Sequence, residues 1–149
     1  ENTIYPDNLE ALVYAAKAAR RPYQEPQGPE AYSVAIEKPL GEAMATLTAV
    51  VDDTRFDSNG WGNEPVQTIA SVVYSIDVAP WMAAGTAMQP VDGTFDNSVE
   101  AVTASIDTSA LAYGDHLVYV AATDSNGNTG VPTAVFLHVD DVFFLGNFD

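Results

Sequence analysis

Hydrophobic and polar positions change their rhythm once along this chain. Near the start, Leu9, Leu12, Val13, Ala16 and Ala19 recur at spacings of three and four, the stripe of an amphipathic helix. Asp7 and Glu10 stand three apart at its start, as in a capping box. Lys17, Arg20 and Arg21 fill its last turn, where positive charge suits the helix dipole, and Pro22 ends it. Residues 1–23 are therefore expected to hold one helix. Pro22, Pro26, Gly28 and Pro29 then punctuate a stretch that favours an extended connector, with residues 24–32 read as linker.

From there the period is close to two. Five segments alternate, at 45–53, 68–77, 99–107, 116–124 and 133–140, with a weaker sixth at 32–37, all separated by turn chemistry. The alternation assigns inward positions to Leu47, Ala49 and Val51; Val72, Tyr74 and Ile76; and Val102, Ala104 and Ile106. Val118, Val120 and Ala122, then Val135, Leu137 and Val139, complete the set. Six or seven short strands without an intervening helix predict a mainly β chain, a β-sandwich of immunoglobulin or fibronectin-III type over residues 33–149, preceded by the N-terminal helix. The last hairpin, "HLVYVAATDSNGNTGVPTAVFLHVD", resembles the F and G strands of bacterial immunoglobulin-like modules. In that resemblance His116 takes the place of the tyrosine-corner residue, a hydrogen-bonded role.

Charge narrows the partners. The 149 residues carry 21 acids against 5 bases, and residues 31–149 hold 16 of the acids with only Lys38 and Arg55. Such a surface repels phosphate backbones and anionic lipid heads, which argues against nucleic acid and membrane surfaces as partners. It suits a secreted, extracellular protein. With no cysteine there is neither a disulfide framework nor thiolate chemistry. The two histidines fall on strands without metal-ligand spacing, and no G-x-S-x-G elbow or phosphate-binding glycine loop occurs.

Two loops offer oxygen ligands. In "VDDTRFDSNGWGNEP", Asp52, Asp53, Asp57, Asn59 and Glu64 are a candidate calcium set, set against a plain acidic strand connection. In "VDGTFDNSVE", Asp92, Thr94, Asp96, Ser98 and Glu100 alternate, but a turn at Asp92 and Gly93 leading into a strand explains them as well. Asn126 and Gly127 are the pair expected in a tight hairpin turn. Trp61, Trp81, Tyr113 and Phe95 lie in or near loops, where they either stack on sugar rings or lid the core. The apolar tail with Val142, Phe143, Phe144, Leu145 and Phe148 reads as a docked edge strand or an interface.

The helical segment "IYPDNLEALVYAAKAARRPY" resembles the closing helix of secreted zinc carboxypeptidases of the carboxypeptidase T and A type. The segments "DDTRF", "YSID", "PW", "DGTFD" and "GDHLVYVAATDSNGNTG" resemble the accessory sandwich that follows the catalytic domain in some bacterial members. That family binds zinc through a His-x-x-Glu pair and a later His. Its general base is a Glu upstream of the final helix, and an Arg holds the substrate carboxylate. No His-x-x-Glu occurs in this chain, so no catalytic residue carries over. The resemblance implies a non-catalytic C-terminal accessory domain whose zinc belongs to a preceding catalytic domain, its natural partner. A stand-alone carbohydrate- or protein-binding module is the alternative. The orphaned apolar stripe of the helix is expected to dock on its own sandwich or on a neighbour's, with packing between chains, and so self-association, the favoured outcome.

Overall fold

The computed structural model describes residue 15 and residues 28–54 and 66–140. The N-terminal helix, apart from Ala15, and the C-terminal tail lie outside the described residues, as do Asp57, Asn59, Trp61 and Glu64. Eight antiparallel strands follow in order: β1 (Glu30–Glu37), β2 (Met44–Asp52), β3 (Ile69–Ile76), β4 (Thr86–Ala87), β5 (Gln89–Pro90), β6 (Val99–Asp107), β7 (Gly114–Asp124) and β8 (Thr133–Val139). They form two four-stranded sheets, the first ordered β1-β2-β6-β5 and the second β4-β3-β7-β8. The chain is a β-sandwich. No helix among the described residues is long and apolar enough to cross a membrane.

The period of two fixes which face each strand buries. Leu47, Val51, Val72, Val102, Ile106, Val118, Val120 and Leu137 are each at most 1 % exposed and share one core with Ala49, Tyr74, Ala122 and Val139. Ile76, Ala104 and Val135, on the same phase, pack against it half-buried. Each of these branched aliphatic side chains gains roughly 1.5–3 kcal/mol from burial, so a one-residue slip of register would cost the whole inward set.

Three strands depart from the strand pattern of the sequence. β1 starts at Glu30, inside the stretch read as connector, and Ser33 in a left-handed conformation (φ 50°) breaks its pairing with β2 between Tyr32 and Ala35. A bulge of this kind interrupts alternation, which is why the segment reads weakly. β4 and β5 have two residues each and no periodicity to detect; β5 ends on Pro90, which only an edge strand accommodates. The sandwich is closed between β1 and β8, where Thr133 Oγ1 donates to the Ala31 carbonyl (2.5 Å). Beside it the backbones of Gly28 and Gly130 pass so close that a Cβ on Gly28 would overlap the Gly130 backbone, and a Cβ on Gly130 that of Pro29.

Candidate functional site

One end of the sandwich gathers acids. Asp52, at the end of β2, accepts at Oδ1 from the Thr54 amide (2.7 Å) and hydroxyl (2.6 Å). Asp53 accepts from the Gln67 amide at Oδ2 (2.5 Å). Asp124, at the end of β7 and 2 % exposed, takes the Asn126 and Asn128 amides on Oδ1 (2.9 and 2.8 Å) and the Asn128 Nδ2 on Oδ2 (3.0 Å). Burial raises the Asp53 carboxyl above its usual range. The charges of Asp124 and Asp52 push the same way, against the Gln67 bond. Of the calcium set read from the sequence, the two described members thus hold the backbone of their own loop and of the entry to β3.

The second oxygen cluster does converge. Carboxylate oxygens of Asp92, Asp96 and Glu100 lie within 4.8 Å of one another. Glu100, 3 % exposed, accepts at Oε1 from the Asp96 and Asn97 amides (3.0 and 2.8 Å) and the Asn97 side chain (3.3 Å). Its carboxylate organises the approach to β6, in keeping with the reading of this stretch as a turn entering a strand.

The opposite end holds both histidines. His116, on the inward phase of β7, is 9 % exposed. Its Nε2 donates to the Ala112 carbonyl (2.8 Å), the hydrogen-bonded corner role, and its Nδ1 lies 2.6 Å from Asp77 Oδ2. The bonds to Ala112 and Asp77 raise its pKa from the ordinary 6.5, and the bond from His116 lowers that of Asp77. The sequence identified His116 but not Asp77, which is 39 residues away. Exposed His138 contacts Asp115 (2.7 Å) and Asp140 (3.5 Å), and Asp140 in turn meets Lys38 (3.6 Å).

The two outer faces differ in chemistry. On the first sheet the cross-strand rows are Thr46 with Ser105, Thr48 with Thr103 and Val50 with Ala101. On the second the middle rows are Val73 flanked by Ala87 and Ala121, Tyr119 between Ser75 and Ala134, and Leu117 with Phe136, with Ser71 and Thr123 at one end and Asp115 and His138 at the other. Phe136 is 74 % exposed. Trp81, from the β3–β4 connection and equally exposed, sets its ring against Tyr119 at 6.5 Å and 69°. Neighbouring Met82 is 75 % exposed. Of the loop aromatics singled out in the sequence, Trp81 joins this apolar face, Tyr113 is exposed at the His116 end, and Phe95 packs half-buried against the core. Phe136 escaped notice although its position between inward Val135 and Leu137 marked it as an outward phenylalanine.

Comparison with protein-family models, curated proteins and solved structures finds no match for the chain.

Proposed function

We propose that this chain is a non-catalytic accessory module, an immunoglobulin-type sandwich that works by presenting the outer face of its second sheet to another protein surface. The observation that carries the reading is the exposure of Phe136 and Trp81 beside Tyr119 and Leu117 on that face; among the described residues the first sheet exposes no aromatic side chain of this kind between its Thr46–Ser105 and Thr48–Thr103 rows. Exposed apolar surface of this extent marks interaction sites. The strand order supports the immunoglobulin type: β1-β2-β6-β5 and β3-β7-β8 follow the ABED and CFG sheets of a constant-type domain, with β4 added at an edge.

The protein served is, by the resemblance of residues 4–23, a secreted zinc carboxypeptidase, with zinc and catalytic groups in a preceding domain. The encoding gene tests this: a His-x-x-Glu pair and a later His should be encoded upstream of Glu1. Co-expression then tests the module, because Phe136→Asp should shorten the activity half-life of the joined enzyme at elevated temperature. Zinc-dependent release of C-terminal residues by residues 1–149 alone would overturn the non-catalytic reading. A second reading, glycan binding, draws on the exposure of Trp81 (74 %) and Tyr113 (61 %), and retention on a glycan panel that is lost in Trp81→Ala would favour it.

A further inference from the structure

We infer that the apolar outer face of the second sheet is the docking site for the amphipathic segment at residues 7–21 of the same chain. This rests on the reading of that face as an interaction surface, but assigns its occupant to the same chain in place of another protein, and does not draw on the carboxypeptidase resemblance.

Reach and size agree. The connector enters the sandwich at Gly28, whose backbone lies against Gly130 just ahead of β8, the edge strand that carries Phe136. Residues 22–27 span up to about 20 Å when extended, enough to turn the chain over that edge. A helix of residues 7–21 is roughly 22 Å long, and a seven-residue strand such as β8 is roughly 23 Å. The stripe Leu9, Leu12, Val13 and Ala16 would therefore run the length of the face and cover Leu117, Tyr119 and Phe136.

Charge selects this segment over the sandwich of a second copy, and the short connector favours the segment of the same chain. Lys17, Arg20 and Arg21 are three of the five bases in a chain of net charge -16, and all lie in the last turn of the segment. Among the described residues Lys38 is the only lysine or arginine, and it sits with Asp140 at the far end. The end nearest Gly28 collects Asp52, Asp53 and Asp124, and Asp53 is already disfavoured as a carboxylate by burial and by its two neighbours. A segment that leads into the connector with its basic turn delivers cations to this end, whereas a second sandwich would bring like charge. The edge-to-face setting of Trp81 and Tyr119 also suits an inserted aliphatic side chain better than the flat stacking a sugar requires.

The experiment uses the full chain, which has no cysteine of its own. A nitroxide is placed at Ala15→Cys, a position exposed in the structure, and broadening of backbone amide signals is mapped by NMR. The expected result is broadening concentrated on Leu117, Tyr119, Ala134 and Phe136, with at least several-fold less at Thr48 and Thr103 on the other outer face. Adding Leu12→Asp should abolish that localisation while the sandwich spectrum stays folded. Even broadening of both faces would overturn the proposal. So would broadening that appears on an unlabelled, isotope-enriched chain mixed with the labelled one, because the occupant would then be a second copy. Loss of enzyme stabilisation in Phe136→Asp with an unlocalised label would separate the two readings: the face would be functional and its occupant another protein.

Discussion

Asp77, just past the end of β3, and His116, on the neighbouring strand β7, are joined by a bond of 2.6 Å, and the backbone around both is shaped to make it. Asp77 adopts a left-handed conformation (φ 58°) just past β3, which an aspartate tolerates better than most side chains. In that pose its amide donates to the Leu117 carbonyl (2.8 Å) while its Oδ1 accepts from the Leu117 amide (2.9 Å). Its remaining oxygen faces Nδ1 of His116, and Nε2 faces the Ala112 carbonyl, so both ring nitrogens meet acceptors. The imidazolium is the form that satisfies both.

A pH dependence follows. The folded His116 holds its proton more tightly than a free histidine at 6.5. Its contribution is therefore complete below that value and is lost as pH rises through the higher folded value. Asp77, held below 3.8, contributes above 3.8 and loses its share as pH falls through its lower folded value. The corner is thus strongest between the two ranges. Thermal melts of the wild type should show stability falling as pH rises above the ordinary histidine range near 6.5, and His116→Gln should flatten that slope. His116→Ala should also cost about 1 kcal/mol near pH 6, the net worth of a hydrogen bond whose exposed partners, Asp77 and the Ala112 carbonyl, turn to water instead. A wild-type slope that persists unchanged in His116→Gln would assign the effect to other groups.

The β7–β8 hairpin should depend on Asp124 more than on the Asn-Gly pair. Its nearly complete burial and three accepted bonds make it the anchor of the turn. Asp124→Ala should cost about 2–3 kcal/mol in denaturant melts. Asp124→Asn keeps an acceptor for the two amides but turns a donor toward Asn128 Nδ2, and should cost about half as much. Equal losses in the two variants would mean that the charge, and not the acceptor geometry, holds the turn.

Gly127 and Gly130 lie three residues apart and should respond differently to the same methyl. Gly127 has a positive φ of 86° and open space around the missing Cβ, so Gly127→Ala carries only the conformational cost, about 1–2 kcal/mol. At Gly130 the Cβ would overlap the Pro29 backbone. Gly130→Ala must push β1 away from the hairpin, and hydrogen exchange should show lost protection at Ala31, Tyr32 and the β1–β2 ladder. Similar exchange patterns in the two variants would argue against the backbone crossing as the determinant.

What could be read from the sequence followed from local repetition. Val118, Val120 and Ala122 announce a buried face because each neighbour repeats the signal, and the five periodic segments are all strands within two residues of their expected ends. Relationships across the fold left no such trace. The hydrogen-bonded role of His116 was legible from its inward phase at the start of the 116–124 segment, but Asp77 comes from the bend after β3. Asn126 and Gly127 marked the place of a tight hairpin turn, while its exact type was set by the backbone. Only Gly127 is left-handed, and the Asp124 amide reaches the Asn128 carbonyl, as in a three-residue hairpin loop with a bulge. Asp92, Asp96 and Glu100 alternate in sequence, yet their convergence depends on the turn that Glu100 itself caps.

Asp53 offers a test in which removing a charge should stabilise the protein. Its folded carboxyl lies above the ordinary 3.8, chiefly through burial, so the ionised form is disfavoured by folding at neutral pH and the penalty disappears as pH falls below that value. Asp53→Asn removes the charge and keeps an oxygen to accept the Gln67 amide. It should raise stability at pH 7 by about 1 kcal/mol or less, since the group is only partly shielded from water. The gain should shrink toward pH 3–4, where the wild-type group is itself protonated. Salt separates the causes: the repulsion from Asp124 and Asp52 is screened, whereas the burial contribution is not. Half-molar sodium chloride should therefore reduce the gain without removing it. Destabilisation by Asp53→Asn at pH 7 would show instead that the charged bond to Gln67 outweighs burial, and that this acidic end holds its loop through ionised carboxylates.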